Sequence, residues 1–359
     1  MLKPAKQLLL LPEFQKFITA SKTGRRLMPS GKKLRAGTLE QYNCVYLLVE
    51  EFQQLLQSPL RIQLLNKSSL RLIQKEKLYW SRFFKNFTAF LYKQKKCFDQ
   101  YVGLVCKVLK TFFNYLLKDK CLPVGEFHRQ FRVPTEHCNP VVISPEQLKF
   151  LITNTAFEAS LPQHLQRTKD LFVFGCTIGL RFQDLMRLKK QHLQFSDAGA
   201  YIVLHTQKTS TEVKIPLPDY AISIYHKYKR TTGNYILPQL SGTNFNEQIK
   251  EIIKRAGWTY NLPKIKQKQG EQVEIKTQAN ETYKFYHHIT AHTMRRTAIT
   301  TLLLLGVNEN AVRKISGHAA GSKEFYRYVV LVQDYLNAQV KNAHLKLISN
   351  EENLIQKVA

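Results

Sequence analysis

No stretch of this chain stays apolar for the roughly 18–20 residues a spanning helix needs, so a bilayer-crossing segment of that kind is excluded. Leu8 to Leu11 is apolar, but Pro12 and Glu13 end the run, and no secretory leader is expected there. Acidic residues are scarce: 26 Asp and Glu stand against 54 Lys and Arg, a formal net charge of +28. A compact body with that charge repels itself unless a polyanion lies near, which makes nucleic acid the expected partner and a membrane surface the rival. The six cysteines are Cys44, Cys97, Cys106, Cys121, Cys138 and Cys176. None are paired at metal-ligand spacings and no leader is expected, so neither a zinc site nor a disulfide framework is expected. Free thiols in a reducing cytoplasm are the simple reading.

The 359 residues suffice for two domains, each with its own core. Residues 1–37 read as a basic arm or linker, with Lys22, Arg25, Arg26, Lys32, Lys33 and Arg35 set around Gly24 and Gly31. Such a segment is either solvated and flexible or lies along a DNA groove. From 38 to 122 the pattern is helical. Thr38 can cap a helix with Gln41 three residues on, followed by Val45, Leu48, Val49 and Phe52 at helical spacing. Further periodic stretches run from Tyr79 to Leu91 and from Tyr101 to Phe113, so a bundle of about four helices is expected. Its aromatics are expected in the core, and its lysines together make a plausible phosphate-facing surface. Residues 123–143 read as a linker marked by Pro123, Gly125, Pro134 and Pro140.

Ser144-Pro145-Glu146-Gln147 begins the next helix: serine caps, proline suits the first turn, and glutamine reaches back. Residues 165–190 read as a buried helix, a bend at Gly179 and a second helix. Ala200–Thr206 and Thr211–Leu217 alternate like the arms of a hairpin with Lys208 at its tip. Residues 263–286 are polar, forming either a long loop or an exposed hairpin that pairs Lys264–Gln267 with Val273–Lys276. A helix from Thr290 to Leu305 ends at Gly306, and Asn308 caps a short helix stopping near Gly317. Residues 342–359 read as a mobile tail or a partner-docking segment. The fold class expected is mainly α with a small β-sheet: a helical bundle, then a mixed α+β domain spanning 144–341.

The chemistry concentrates in that second domain. Breaking a phosphodiester with a side chain needs a hydroxyl nucleophile and fixed, multidentate cations for the pentavalent phosphate. It also needs a proton for the departing 5′-hydroxyl. The chain offers Arg181 after the Gly179 bend, His292 and Arg295 three apart at a helix start, and His318 after Gly317. Lys208 and the tyrosines of Phe325-Tyr326-Arg327-Tyr328-Val329 complete the set. A helix start also brings unpaired N–H groups that favour an anion. No metal and no cofactor is called for.

In their order these boxes resemble those of the tyrosine recombinase, or phage-integrase, family, and within it the integrases of bacterial mobile elements. Thr177-Ile178-Gly179-Leu180-Arg181 resembles the first box, with Asp184 as its carboxylate. His292 and Arg295 match the His-x-x-Arg box, and Ser316-Gly317-His318 matches the Leu-Gly-His box. The resemblance covers residues 144–338. It implies catalytic roles for Arg181, Lys208, His292, Arg295 and His318, with Tyr328 as the nucleophile. In most relatives the nucleophile stands where Arg327 stands here. One inserted residue near Ala320 or Gly321 would bring Tyr328 into register, which favours it over Tyr326.

The resemblance further implies that residues 38–122 are a core-binding domain that clamps double-stranded DNA together with the catalytic domain. The implied function is a site-specific recombinase or integrase that works through a 3′-phosphotyrosyl link. It would act as a homotetramer on two duplexes, with an accessory DNA-bending protein as a further partner and no membrane. The bacterial cytoplasm, close to the nucleoid, is the implied location. A type IB topoisomerase-like relaxing enzyme and a non-catalytic DNA-binding regulator are the alternatives.

Overall fold

A computed structural model describes residues 7–66, 68–135, 140–197, 199–205, 212–318 and 321–349. Its contacts divide the chain into two compact units, Met1–His137 with Lys264–Ile275, and Cys138–Pro263 with Lys276–Ala359.

The first unit is built on aromatic packing. Strand β1 (Gln7–Leu9) leads into helix α1 (Leu10–Thr23), and α2 (Ala36–Leu56) follows. Strand β2 (Arg61–Gln63) pairs antiparallel with β1. Helices α3 (Leu70–Lys93) and α4 (Asp99–Asn114) complete the bundle, and a single π-turn extends α4 over Tyr115–Asp119. Phe14 stacks on Phe112 at 4.7 Å, and Trp80 meets Phe113 edge-on at 4.8 Å. Offset and edge-on contacts of this kind add to the area that large rings bury.

Two expectations change here. Residues 10–23 are not an arm, because Leu10, Leu11, Phe14, Phe17 and Ile18 fall on one face of α1 and are buried. Helical periodicity governs this segment, and the basic cluster begins only in its last turn, at Lys22. Part of the expected 123–143 linker is also core. A short 3₁₀ turn at Phe127–Gln130 leads to Phe131, which is fully buried and stacks on Phe84 at 5.0 Å. In addition, Thr38 does not cap α2; the cap position is Arg35, whose side chain makes no capping bond.

In the second unit α5 (Pro145–Thr153) starts with the capping box read from sequence: Ser144 Oγ accepts from Gln147 N at 3.2 Å, and Gln147 Oε1 accepts from Ser144 N at 2.9 Å. Helices α6 (Thr155–Ser160), α7 (Gln163–Ile178) and α8 (Phe182–Met186) follow. Strands β3 (Leu193–Ser196), β4 (Gly199–His205) and β5 (Glu212–Leu217) form an antiparallel sheet in that order, with Ile202 opposite Ile215. The sequence reading had two of these strands. β3 is four residues long and mostly exposed, so it carries little alternation to read. The turn with Lys208 lies outside the described residues.

Helices α9 (Asp219–Tyr228) and α10 (Gly242–Arg255) come next. Strands β6 (Lys264–Lys268) and β7 (Glu271–Ile275) are followed by the single turn α11 (Phe285–His288). The chain then forms α12 (Ala291–Leu304), α13 (Glu309–Ser316) and α14 (Lys323–Ser349). Because α14 runs on through Ser349, the tail expected from 342 begins as helix. The core joins Phe172 and Phe174 of α7 to Phe245 and Ile249 of α10 and to Ile202 and Ile215 of the sheet.

The polar 263–286 segment does form a hairpin, but in a register shifted by one residue, with Gln267 opposite Gln272. The turn sets it. Gln269 (φ 57°) and Gly270 (φ 86°) are both left-handed, as a two-residue hairpin turn with matching twist requires. The hairpin groups with the first unit because its turn is gripped there. Asp99, only 3% exposed, accepts Gln269 N at 2.7 Å, Gly270 N at 2.9 Å and the Tyr92 hydroxyl at 2.7 Å. Asp99→Asn removes the charge and one acceptor from this buried set. It should cost about 1.5–3 kcal/mol in denaturant unfolding and speed amide exchange at Gln269 and Gly270. Unchanged exchange there would show that the carboxylate does not hold the turn.

Candidate active site

Four local structures present the side chains singled out above. Helix α7 stops at Gly179, whose φ of 65° is left-handed. The chain then turns outward, and Arg181 takes an extended conformation (φ −67°, ψ 147°) as the residue before α8. One turn into α8, Asp184 is buried. The start of α12 is fixed by Thr290 N donating to Thr293 Oγ1 at 3.0 Å and Ala291 N donating to Asn246 Oδ1 at 2.8 Å. That places His292 on the exposed side and Arg295 inward, 2% exposed. Helix α13 ends at Gly317 (φ 62°), and His318 N bonds to Arg313 O at 3.0 Å.

These elements meet at Arg295. Its Nη1 donates to Gly179 O at 3.0 Å, and its Nη2 lies 3.2 and 3.1 Å from the two ring nitrogens of His318. The His318 ring is 5.4 Å from Phe325 and 6.1 Å from Tyr328, centre to centre. The close approach of α7 to α12 makes this reach possible. A Cβ on Gly175 would fall 2.3 Å from Met294 Sδ, and one on Gly179 would fall 3.2 Å from Ala298 Cβ.

Burial and mutual repulsion set the charges. Burial, then the charge of Arg181, lowers the Arg295 pKa to about 10, while Tyr328 and Asp184 act in the opposite direction. His318 is lowered to about 3, first by burial and then by Arg295, Arg181, Arg313 and His292. The imidazole is therefore neutral at neutral pH. The folded state binds fewer protons at His318 than the unfolded chain between about pH 3 and 6.5, so this group adds stability as pH rises through that window. The Nη1 of Arg181 is buried without a hydrogen-bond partner. A buried guanidinium donor with nothing to bond costs free energy, and an oxyanion would satisfy it.

The structure thus brings Arg181, Arg295, His318 and Tyr328 into one neighbourhood, with the field of His292 reaching His318. Lys208 lies outside the described residues. Tyr328 is 6% exposed and faces His318, while Tyr326 is 52% exposed, its ring 5.1 Å from the Arg313 guanidinium. Two contributions are not readable in the sequence, the presence of Arg313 here and the role of Ser316. Arg313 pairs with Glu309 one turn earlier and lies 4.2 Å from the Phe325 ring, a role that i,i+4 spacing hints at without fixing. Ser316 bonds to the His318 ring at 2.8 Å. Its signal was serine where the third box otherwise has leucine. Among the described residues, no group of three or more His, Cys, Asp or Glu is placed to hold a metal ion, and no helix is long and apolar enough to cross a membrane.

Gly179 carries two duties, a left-handed turn and the carbonyl that holds Arg295. Gly179→Ala should destabilise the protein by about 1–3 kcal/mol, the usual cost of a side chain in that backbone region. Denaturant unfolding measures it, and a loss under about 0.5 kcal/mol, the scale of an ordinary surface substitution, would show that the turn tolerates a Cβ.

Residues 142–332, more than half of the chain, match the model of the phage integrase family. No curated protein sequence matches the chain. Several solved structures share its fold. A lambda integrase dimer bound to a COC′ core site aligns at 13% identity and a TM-score of 0.55, over 90% of this chain and 77% of that one. The Tn1549 transposon integrase in complex with circular intermediate DNA aligns at 15% and 0.55, over 89% and 95%. The XerH site-specific recombinase bound to a palindromic difH substrate aligns at 13% and 0.57, over 91% and 84%. With its ordered boxes, its buried Arg295 set against His318 and a family match over most of the second unit, this chain belongs to the phage integrase family.

Proposed function

We propose that this protein is a site-specific DNA recombinase that cuts and rejoins DNA through a tyrosyl ester. The observation that carries the reading is the meeting of Arg295, His318 and Tyr328, with the unpartnered Arg181 Nη1 beside them. Guanidinium groups that repel one another, with Asp184 offsetting that repulsion only in part, fit a scissile phosphate, whose transition state spreads charge over its non-bridging oxygens. The phenol oxygen of Tyr328 attacks phosphorus, and the bond to the 5′ oxygen breaks. The product is a 3′-phosphotyrosyl link and a free 5′-hydroxyl. Arg181 and Arg295 bind the non-bridging oxygens. His292 and His318 serve through hydrogen bonds and proton positions. Lys208 is assigned the proton that the leaving oxygen needs. The ester conserves the bond energy, so the reverse attack by a 5′-hydroxyl reseals the strand.

Double-stranded DNA is the substrate in this reading, with the helical first unit in the role of the core-binding domain and the second unit in that of the catalytic domain. The fold neighbours support that choice, since they include integrases bound to core-site and circular-intermediate DNA and a lambda integrase tetramer bound to a Holliday junction. A homotetramer on paired sites, working in the bacterial cytoplasm on nucleoid DNA, follows by analogy, with an accessory DNA-bending protein as a further partner. The net charge of +28 suits a protein that spends its time on a polyanion.

A nicked suicide duplex that traps the cleaved strand tests the chemistry. Wild type should give a covalent protein–DNA band on a denaturing gel, and Tyr328→Phe should give none. A band that persists in Tyr328→Phe and disappears in Tyr326→Phe would move the nucleophile to the neighbouring tyrosine. Relaxation of supercoils in DNA lacking recombination sites would instead favour a topoisomerase-like activity. Binding itself should weaken steeply with salt, by roughly −0.9 in log–log slope for each phosphate neutralised. Affinity independent of ionic strength in a filter-binding titration would remove the phosphate-contact premise.

A further inference from the structure

The third box departs from its family pattern at Ser316, and the structure gives that serine a definite partner. Ser316 is 1% exposed, in the last turn of α13. Its Oγ lies 2.6 Å from Val312 O, 3.3 Å from Arg313 O and 2.8 Å from His318 Nδ1. A hydroxyl carries one hydrogen. Two oxygens at 2.6 Å need that hydrogen between them, so Ser316 donates to Val312 O. The contact to His318 must then run the other way, with Nδ1–H donating to Oγ.

The rest of the surroundings agree with a neutral ring holding its proton there. Arg295 Nη2 is almost equally far from both ring nitrogens, so it lies against the imidazole rather than in line with one lone pair. The charged groups acting on the ring are Arg295, Arg181, Arg313 and His292, all of which oppose a second proton. Phe325 and Tyr328 supply aromatic walls.

We propose that Ser316 is a positioning residue that fixes the tautomer of His318, placing its proton on Nδ1 and leaving Nε2 as a bare acceptor. This deepens the recombinase reading and rests on it for its consequence in catalysis. An imidazole set this way accepts a hydrogen bond from an O–H in the site. It donates to a phosphate oxygen only after Nε2 has first taken up a proton. A leucine at this position has no oxygen with which to impose that choice, so the proton of His318 would be placed by other groups.

Nitrogen NMR of the full-length protein with ¹⁵N-histidine tests the assignment, the His318 signals being identified by their absence in His318→Gln. Wild type should show a protonated Nδ1 and a bare Nε2 at pH 7. Ser316→Ala should move the ring toward a mixture of tautomers. It should also slow single-turnover cleavage of the suicide duplex by about tenfold, the net worth of one hydrogen bond, with DNA affinity unchanged. Ser316→Thr, which keeps the hydroxyl, should restore both. A wild-type ring protonated on Nε2 overturns the proposal whether or not any variant folds. So does a Ser316→Ala spectrum identical to wild type. Should wild type form no covalent adduct at all, the recombinase reading fails, and the ring spectrum still decides the role of Ser316.

Discussion

The buried guanidinium of Arg295 is the constraint around which the second unit is arranged. A group that keeps its charge and is 2% exposed must have every available partner placed for it. One partner is the carbonyl of Gly179, which points at Arg295 only because the chain leaves α7 through a left-handed residue. The other is the ring of His318, set by the left-handed Gly317 at the end of α13. Two helix ends and the first turn of α12 are therefore tied to one side chain. Close packing at Gly175 and Ala298 keeps α7 and α12 near enough for the tie to hold.

The same arrangement leaves an imbalance of charge. Arg181, Arg295 and Arg313 all act on His318, and among the described residues the carboxylates tied to these groups include Asp184 and Glu309. Glu309 is taken up by Arg313, and Asp184 only partly offsets the burial and the Arg181 repulsion that together lower the Arg295 pKa. A site built with too few anions is pre-organised for one that arrives from outside, because no reorganisation is needed when it binds. Neutral His318 belongs to that logic: an imidazolium would add to the repulsion, whereas the neutral ring packs against Tyr328 and offers a directed hydrogen-bonding edge.

Much of this was legible from residue order, and the misses have physical causes. Ser144 to Gln147 was read correctly as a capping box because capping is local chemistry. The helix over residues 10–23 is masked in the sequence by the lysines and arginines clustered from its last turn onward, which have the composition of a flexible arm, although Leu10, Phe14, Phe17 and Ile18 have helical spacing. The 264–275 hairpin was placed one residue out of register, since a polar strand pair lacks the buried face that pins register, and the left-handed Gln269 and Gly270 decide it instead. Nothing in the sequence ties that hairpin to Asp99, because a carboxylate gripping two backbone N–H groups from 170 and 171 residues away leaves no local pattern.

By itself the sequence determined the helical character of the chain, its excess of positive charge and the ordered boxes carrying Arg181, His292, Arg295, His318 and the paired tyrosines. These are local or additive properties, readable without knowing what touches what. Only the tertiary structure decided that Arg295 turns inward while His292 stays exposed, that Tyr328 rather than Tyr326 faces His318, and that Ser316 holds the imidazole. Those outcomes depend on how α7, α12, α13 and α14 pack, and packing is set by contacts between residues far apart in the chain.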